Sequence, residues 1–205
     1  MTHKLPRRLR RCIAASAVLL CLSCLAARLA AQTPAAPAAQ TATAPAAQTA
    51  TAPVPEWKTY SYPADGFIAV FPFEPSMQKK NVPTDKGTFE LRAYLAEDSS
   101  SALFVGVCDY GSAVADKTTD QVLNGAQQGA IENVSAHLVS GRKITLGTYP
   151  GVGFEAENDT MHFSARIYLV GTTLYQTLVA WPLGQPYTGT TRFLDSFQLI
   201  ARTQN

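Results

Sequence analysis

The first 56 positions of this 205-residue chain contain no aromatic residue. The two Trp, eight Tyr and nine Phe all lie after Glu56, and so do all 13 Gly. A core needs large apolar side chains, and tight turns draw on glycine. Any packed domain is therefore confined to residues 57–205. A segment of that length can bury roughly 70% of its extended-chain surface, enough for one core.

Charge divides at the same point. Residues 1–56 hold six Lys/Arg against one Asp/Glu, and residues 57–205 hold eleven against fourteen, within an overall balance of +2. The basic character belongs to the N-terminus. The core-forming part is mildly acidic and shows no Lys/Arg stripe, so a nucleic-acid partner is not expected.

Residues 1–31 have the order of a secretory signal peptide. A basic stretch, Lys4 to Arg11, precedes an apolar run from Cys12 to Ala27. Leu29-Ala30-Ala31 then offers a cleavage point before Gln32. A retained signal anchor is the rival, but the run is short for a span of about 20 residues. Leu22-Ser23-Cys24 resembles a lipoprotein acylation site, although Cys21 stands where Leu is usual. Lipidation at Cys24 and cleavage after Ala31 are the two alternatives. The second discards Cys12, Cys21 and Cys24 and leaves Cys108 alone, so no internal disulfide is expected. The expected address is the periplasm or cell envelope. Membrane contact would come only through the lipid or the anchor.

Residues 32–56 form an Ala/Pro/Thr/Gln-rich linker, expected to be disordered. AAQTATAP at 38–45 repeats letter for letter at 46–53. Nothing there is large enough to offset the entropy of ordering the chain, and regular proline blocks a continuous helix. Extended, such a segment reaches at most roughly 75 Å. It would serve as a tether or a plain spacer.

From Trp57 onward the pattern is mostly period two. Strands are expected at 57–62, 67–71, 89–96 and 103–110, with turns at Pro63–Gly66 and Thr84–Gly87. The strand at 103–110 is apolar on both faces, which suits a central position. One helix is clear. Thr118-Thr119-Asp120-Gln121 reads as a capping box, and Val122, Leu123, Ala126, Ala130 and Ile131 form its apolar stripe. Gly125 and Gly129 within it are expected to permit close approach to a sheet. Four strands follow at 137–139, 144–149, 152–157 and 162–170, separated by Ser140-Gly141, Pro150-Gly151 and Asn158–Met161. Gly171-Thr172 turns into a strand at 173–181, and a short helix covers 191–197. The expected fold class is α+β: an antiparallel β-sheet with helices packed on its faces.

Three stretches carry a resemblance. They are Gly66-Phe67-Ile68-Ala69-Val70-Phe71-Pro72 with Pro75, then Val170 to Gln176, then Arg192-Phe193-Leu194-Asp195-Ser196-Phe197. In this order the chain resembles bacterial exported proteins of the PsbP-like (DcrB-type) α/β/α sandwich fold. The resemblance covers most of residues 57–205. It implies a binding or assembly-assisting module, and no catalytic residues carry over from it.

Motif searches return little chemistry. There is no G-x-S-x-G, Walker A loop, H-E-x-x-H or G-x-G-x-x-G, and no C-x-x-C in the domain. The best constellation lies on the 152–181 hairpins. If Gly171-Thr172 sets the register, Tyr168 faces Tyr175, Arg166 faces Thr177 and His162 faces Trp181. A turn at Asp159-Thr160 would bring Glu157 to His162 and Glu155 to Ser164. One face would then hold Glu155, Glu157, His162, Arg166, Tyr168, Tyr175 and Trp181, a candidate surface for a ligand or partner. The same residues would also serve as ordinary cross-strand pairs. Glu155, Glu157, Asp159 and His162 are a weaker metal candidate, and no metal site or cofactor is expected. Cys108 reads as a buried, inert thiol.

The expected function is an exported, non-enzymatic binding or assembly-assisting module of the bacterial cell envelope, tethered by its linker. Its partner would be an envelope protein or a small ligand. The alternatives are a small envelope hydrolase, or a ligand or metal carrier, using the 152–181 face.

Overall fold

The computed structural model describes residues 56–84 and 87–203. The expected signal peptide, Cys24, the expected linker up to residue 55 and residues 85–86 of the expected Thr84–Gly87 turn lie outside the described residues. The strands are β1 (Lys58–Tyr62), β2 (Phe67–Phe71), β3 (Ser76–Thr84), β4 (Gly87–Glu97) and β5 (Ala102–Asp109). Helix α1 (Thr119–Asn133) leads to β6 (His137–Leu146), β7 (Tyr149–Glu157), β8 (Met161–Val170) and β9 (Thr173–Pro182). Helix α2 (Thr190–Ser196) and β10 (Gln198–Leu199) follow.

Seven strands form one antiparallel sheet in the order β3-β4-β5-β9-β8-β7-β6. Two meanders, β3 to β5 and β6 to β9, meet where β5 pairs with β9. Strand β5 is interior, next to the middle strand β9, and buried at every residue but its last, because it has neighbours on both edges and layers on both faces. Its unbroken apolar run is the sequence signature of that position.

Helix α1 covers one face. Val122, Leu123, Ala126 and Ala130 pack on Phe154, Phe163, Ile167 and Leu178. Its N-terminus is the expected capping box: Thr118 Oγ1 accepts from the Gln121 N–H at 3.2 Å, and the Gln121 side chain accepts from the Thr118 N–H at 2.8 Å. Such a cap contributes about 1 kcal/mol. Gly125 does not act as expected, since a methyl group added there would meet open space. Gly125→Ala should therefore stabilise the chain by about 1 kcal/mol through helix propensity. Unfolding in urea tests this, and a lower midpoint would show a packing constraint at that position.

The opposite face carries a mixed layer. A three-stranded sheet, β1-β2-β10, lies beside α2. Phe67, Phe71, Phe193 and Phe197 of this layer pack on Leu103, Val105 and Val179 of the main sheet. The described residues are thus mostly antiparallel sheet with two α-helices, one on each face. They fit an α/β/α sandwich only loosely, because strands supply much of the third layer.

Three boundaries differ from expectation. β6 is one strand, with a bulge between Leu138 and Ser140 where a break was expected. The β6–β7 turn is Gly147-Thr148, not Pro150-Gly151. Gly147 takes φ 59° there, as Gly171 takes 62° in the β8–β9 turn, so both tight turns are built from Gly-Thr. Pro150 is tolerated inside β7 because β7 starts pairing with β8 one residue later, at Gly151↔Tyr168. Finally, β3 is a full nine-residue edge strand that the polar sequence Gln78-Lys79-Lys80-Asn81 disguises.

Candidate functional site

The expected registers on the β7–β8–β9 face are all present. Tyr168↔Tyr175, Arg166↔Thr177, His162↔Trp181, Glu157↔His162 and Glu155↔Ser164 are paired. Alternation then puts Glu155, Glu157, His162, Arg166, Tyr168, Tyr175 and Trp181 on one face. The second layer divides that face into two environments.

The inner end is core. Tyr168 and Tyr175 are only 3% and 2% exposed. The Phe197 ring lies parallel to Tyr168 at 6.1 Å and tilted against Tyr175 at 5.8 Å. Both tyrosines were expected at a binding surface. They are instead closed off, because the layer holding Phe197 packs over them. Burial raises the Tyr168 hydroxyl's pKa, against the pull of Arg166. Arg166 fastens α2 to β8, donating to the Leu194 carbonyl at 3.2 Å and pairing with the Asp195 carboxylate.

The outer end is half-open. Nδ1 of His162 lies 2.8 Å from Glu157 Oε1, and Nε2 lies 2.8 Å from Glu155 Oε2. The imidazole is stacked on the Trp181 indole, with centroids 4.5 Å apart and planes at 26°. The side chains of His162, Glu155 and Glu157 retain 19%, 38% and 32% of their exposure, so solvent reaches all three. A neutral imidazole has one N–H, so both contacts are hydrogen bonds only when a second proton sits in the cluster.

This geometry limits the chemistry. Ser164 Oγ donates to Glu155 Oε1 at 2.7 Å, and the structure gives it no contact with His162. The imidazole is thus not placed to take a proton from that hydroxyl, as a nucleophile–base pair requires. Glu155, Glu157 and His162 turn onto one another, and Asp159 does not join them. Among the described residues, no three His, Cys, Asp or Glu side chains are arranged to hold a metal ion.

A second polar cluster escaped the sequence reading. Asp65, in the turn after β1, is 4% exposed. Its carboxylate accepts from Arg92 Nε and from the Tyr94 hydroxyl. Its carbonyl accepts from the Tyr175 hydroxyl at 2.8 Å, and Arg202 in turn donates to that hydroxyl at 3.0 Å. Burial works against the charged guanidinium of Arg92, but Asp65 and Glu90 outweigh it and raise its pKa. Burial, then the bond to Asp65, drives the Tyr94 hydroxyl's pKa upward. In sequence Asp65 looks like ordinary turn chemistry within Pro-Ala-Asp-Gly. The available signal was parity: Arg92 shares a strand face with the apolar Tyr94 and Ala96.

Cys108 is 4% exposed, and burial raises its thiol pKa, as expected for an inert cysteine. Nearby, Phe89, Tyr110, Ser112, Ala113, Ala115 and Asp116 line an open groove of about 360 Å³.

No family model matches the chain. No curated protein matches it either. A solved structure does: the solution structure of cyanobacterial PsbP (CyanoP) from Synechocystis sp. PCC 6803 superposes with a TM-score of 0.51. The match covers 75% of this chain and 98% of that one, at 13% identity. The fold is PsbP-like. At that identity the likeness speaks for architecture alone, and it bears out only the PsbP-like fold in the resemblance carried by the core and turn residues.

Proposed function

We propose that this chain is an exported, non-enzymatic binding or assembly-assisting module of the bacterial cell envelope. Its N-terminal segments would be an export signal, cleaved or lipidated at Cys24, and a tether. The partner would be an envelope protein or a small ligand. One observation carries the reading of the site: the Glu155–His162–Glu157 cluster on Trp181 remains open to solvent where the rest of its face is covered. A rigid aromatic beside pre-oriented polar groups that a partner can desolvate is the composition of contact hot spots. The order of basic, apolar and small residues at the N-terminus supports the address. The PsbP-like fold is compatible with a module that binds rather than reacts, although a fold alone does not choose between them.

A photoreactive residue at position 157 of the full chain, expressed in its own cells, tests the reading. A discrete cross-linked adduct in the envelope fraction is expected. The same probe at Ser76, on the distant β3 edge, should give none. An unprocessed chain in the cytosol, or identical adduct patterns from both positions, would refute the proposal.

A further inference from the structure

The main sheet has two edges, and they differ. Strand β3 carries Pro83 and adjacent Lys79 and Lys80, the usual blocks against pairing with another chain. Strand β6 spans ten residues without proline, and its first seven are exposed. Its bulge, between Leu138 and Ser140, leaves Gly141 to Leu146 in regular register with β7.

Hairpin geometry decides which backbone groups are free. A two-residue turn is closed by a hydrogen-bonded pair, here Leu146↔Tyr149. Counting back by twos, Ile144 and Arg142 also point their N–H and C=O toward β7. Gly141, Lys143 and Thr145 therefore present theirs outward, three alternate residues ready to accept another strand.

The charge of the edge selects among strands. Arg142 is exposed and makes no hydrogen bond or ion pair among the described residues. Lys143 pairs only at the surface, 2.7 Å from Asp120. Glu155 and Glu157, across from this strand on β7, are engaged by His162. Leu138 and Val139, nearer the start of the same edge, are each about half exposed. The edge thus combines outward backbone groups, two cations on opposite faces and an apolar step at one end.

We infer that β6 is a docking edge for an extended peptide segment whose side chains alternate between acidic and apolar. The peptide adds an eighth strand, so its backbone bonds to Gly141, Lys143 and Thr145. Its carboxylates fall on the face of Arg142, and its apolar side chains fall on the opposite face, where Leu138 lies. This inference rests on the binding-module reading and names a partner chemistry for the neighbouring edge. Because it is tested at β6 and not at position 157, the two can fail separately.

The probes are two synthetic nonapeptides, one alternating Val and Glu and one alternating Val and Lys. Amide hydrogen exchange and fluorescence anisotropy on the full chain supply the readouts. The Glu peptide should slow exchange at Gly141, Lys143 and Thr145, and the Lys peptide should not. Arg142→Glu should weaken the Glu peptide by about tenfold or more. Lys143→Pro should abolish binding while keeping the fold, since its lost N–H is not part of the β6–β7 ladder. Three results would overturn the inference: no added protection at these amides, equal binding of both peptides, or protection already present because two copies pair through β6. If Lys143→Pro unfolds the chain, Arg142→Glu still decides the question.

Discussion

Asp65→Ala is expected to cost about 3 kcal/mol of folding stability, because it takes the buried carboxylate from the Arg92 guanidinium and leaves only the exposed Glu90, 3.3 Å away, as its partner. Arg92 retains only 20% side-chain exposure and Asp65 6%, so water cannot readily replace the lost partner. The Tyr94 hydroxyl loses its acceptor at the same time. The effect is the penalty of an under-compensated buried charge more than a lost attraction. That distinction is measurable. Replacing both residues, Asp65→Ala with Arg92→Met, should recover much of the loss, since an apolar chain of similar length needs no partner there. Urea unfolding midpoints at constant slope give both values. A loss below about 1 kcal/mol for Asp65→Ala would mean that Arg92 swings to solvent, and the cluster would then be a surface feature.

Phe193→Ala should cost about 4 kcal/mol, the upper range for removing a buried aromatic ring. Phe193 is fully buried, and its ring centroid lies 5.0 Å from that of Phe71 on β2. Helix α2 has seven residues and no side-chain cap at Gly189, so it cannot hold its shape alone. Packing through Phe193 and Leu194 is what keeps it helical. Its loosening has a local signature. Ser196 Oγ accepts from the Val70 N–H at 2.9 Å, and Arg166 is tied to Leu194 and Asp195. Amide exchange should therefore quicken at Val70, while β5 keeps its protection. Uniform acceleration across β5 and β9 would show instead that the two layers unfold as one unit.

The fate of the candidate site follows from the same layer. Every cross-strand pair proposed for β7, β8 and β9 was legible, because side-chain parity and one Gly-Thr turn set register locally. Exposure was not legible. Tyr168 and Tyr175 look like surface aromatics on an alternating strand, yet Phe197, more than twenty residues away in sequence, closes over them. His162 and Trp181 sit on the same face and stay half-open only because that layer ends before them. The Pro150-Gly151 turn failed for a related reason. Both residues usually mark turns, but the end of the β7–β8 ladder lets proline sit inside the strand.

Local chemistry by itself determined the α1 capping box, the interior place of β5 and the pairing of β7, β8 and β9. Each depends on residues near in sequence or on the two-residue period of a strand. The tertiary structure alone decided the mixed third layer, the burial of Asp65 with Arg92, and which half of the candidate face remains open. These depend on contacts such as Arg92 with Asp65, 27 residues apart, and Tyr175 with Asp65, 110 apart. No local pattern encodes such distances, because the free energy that selects them comes from burying one face against another.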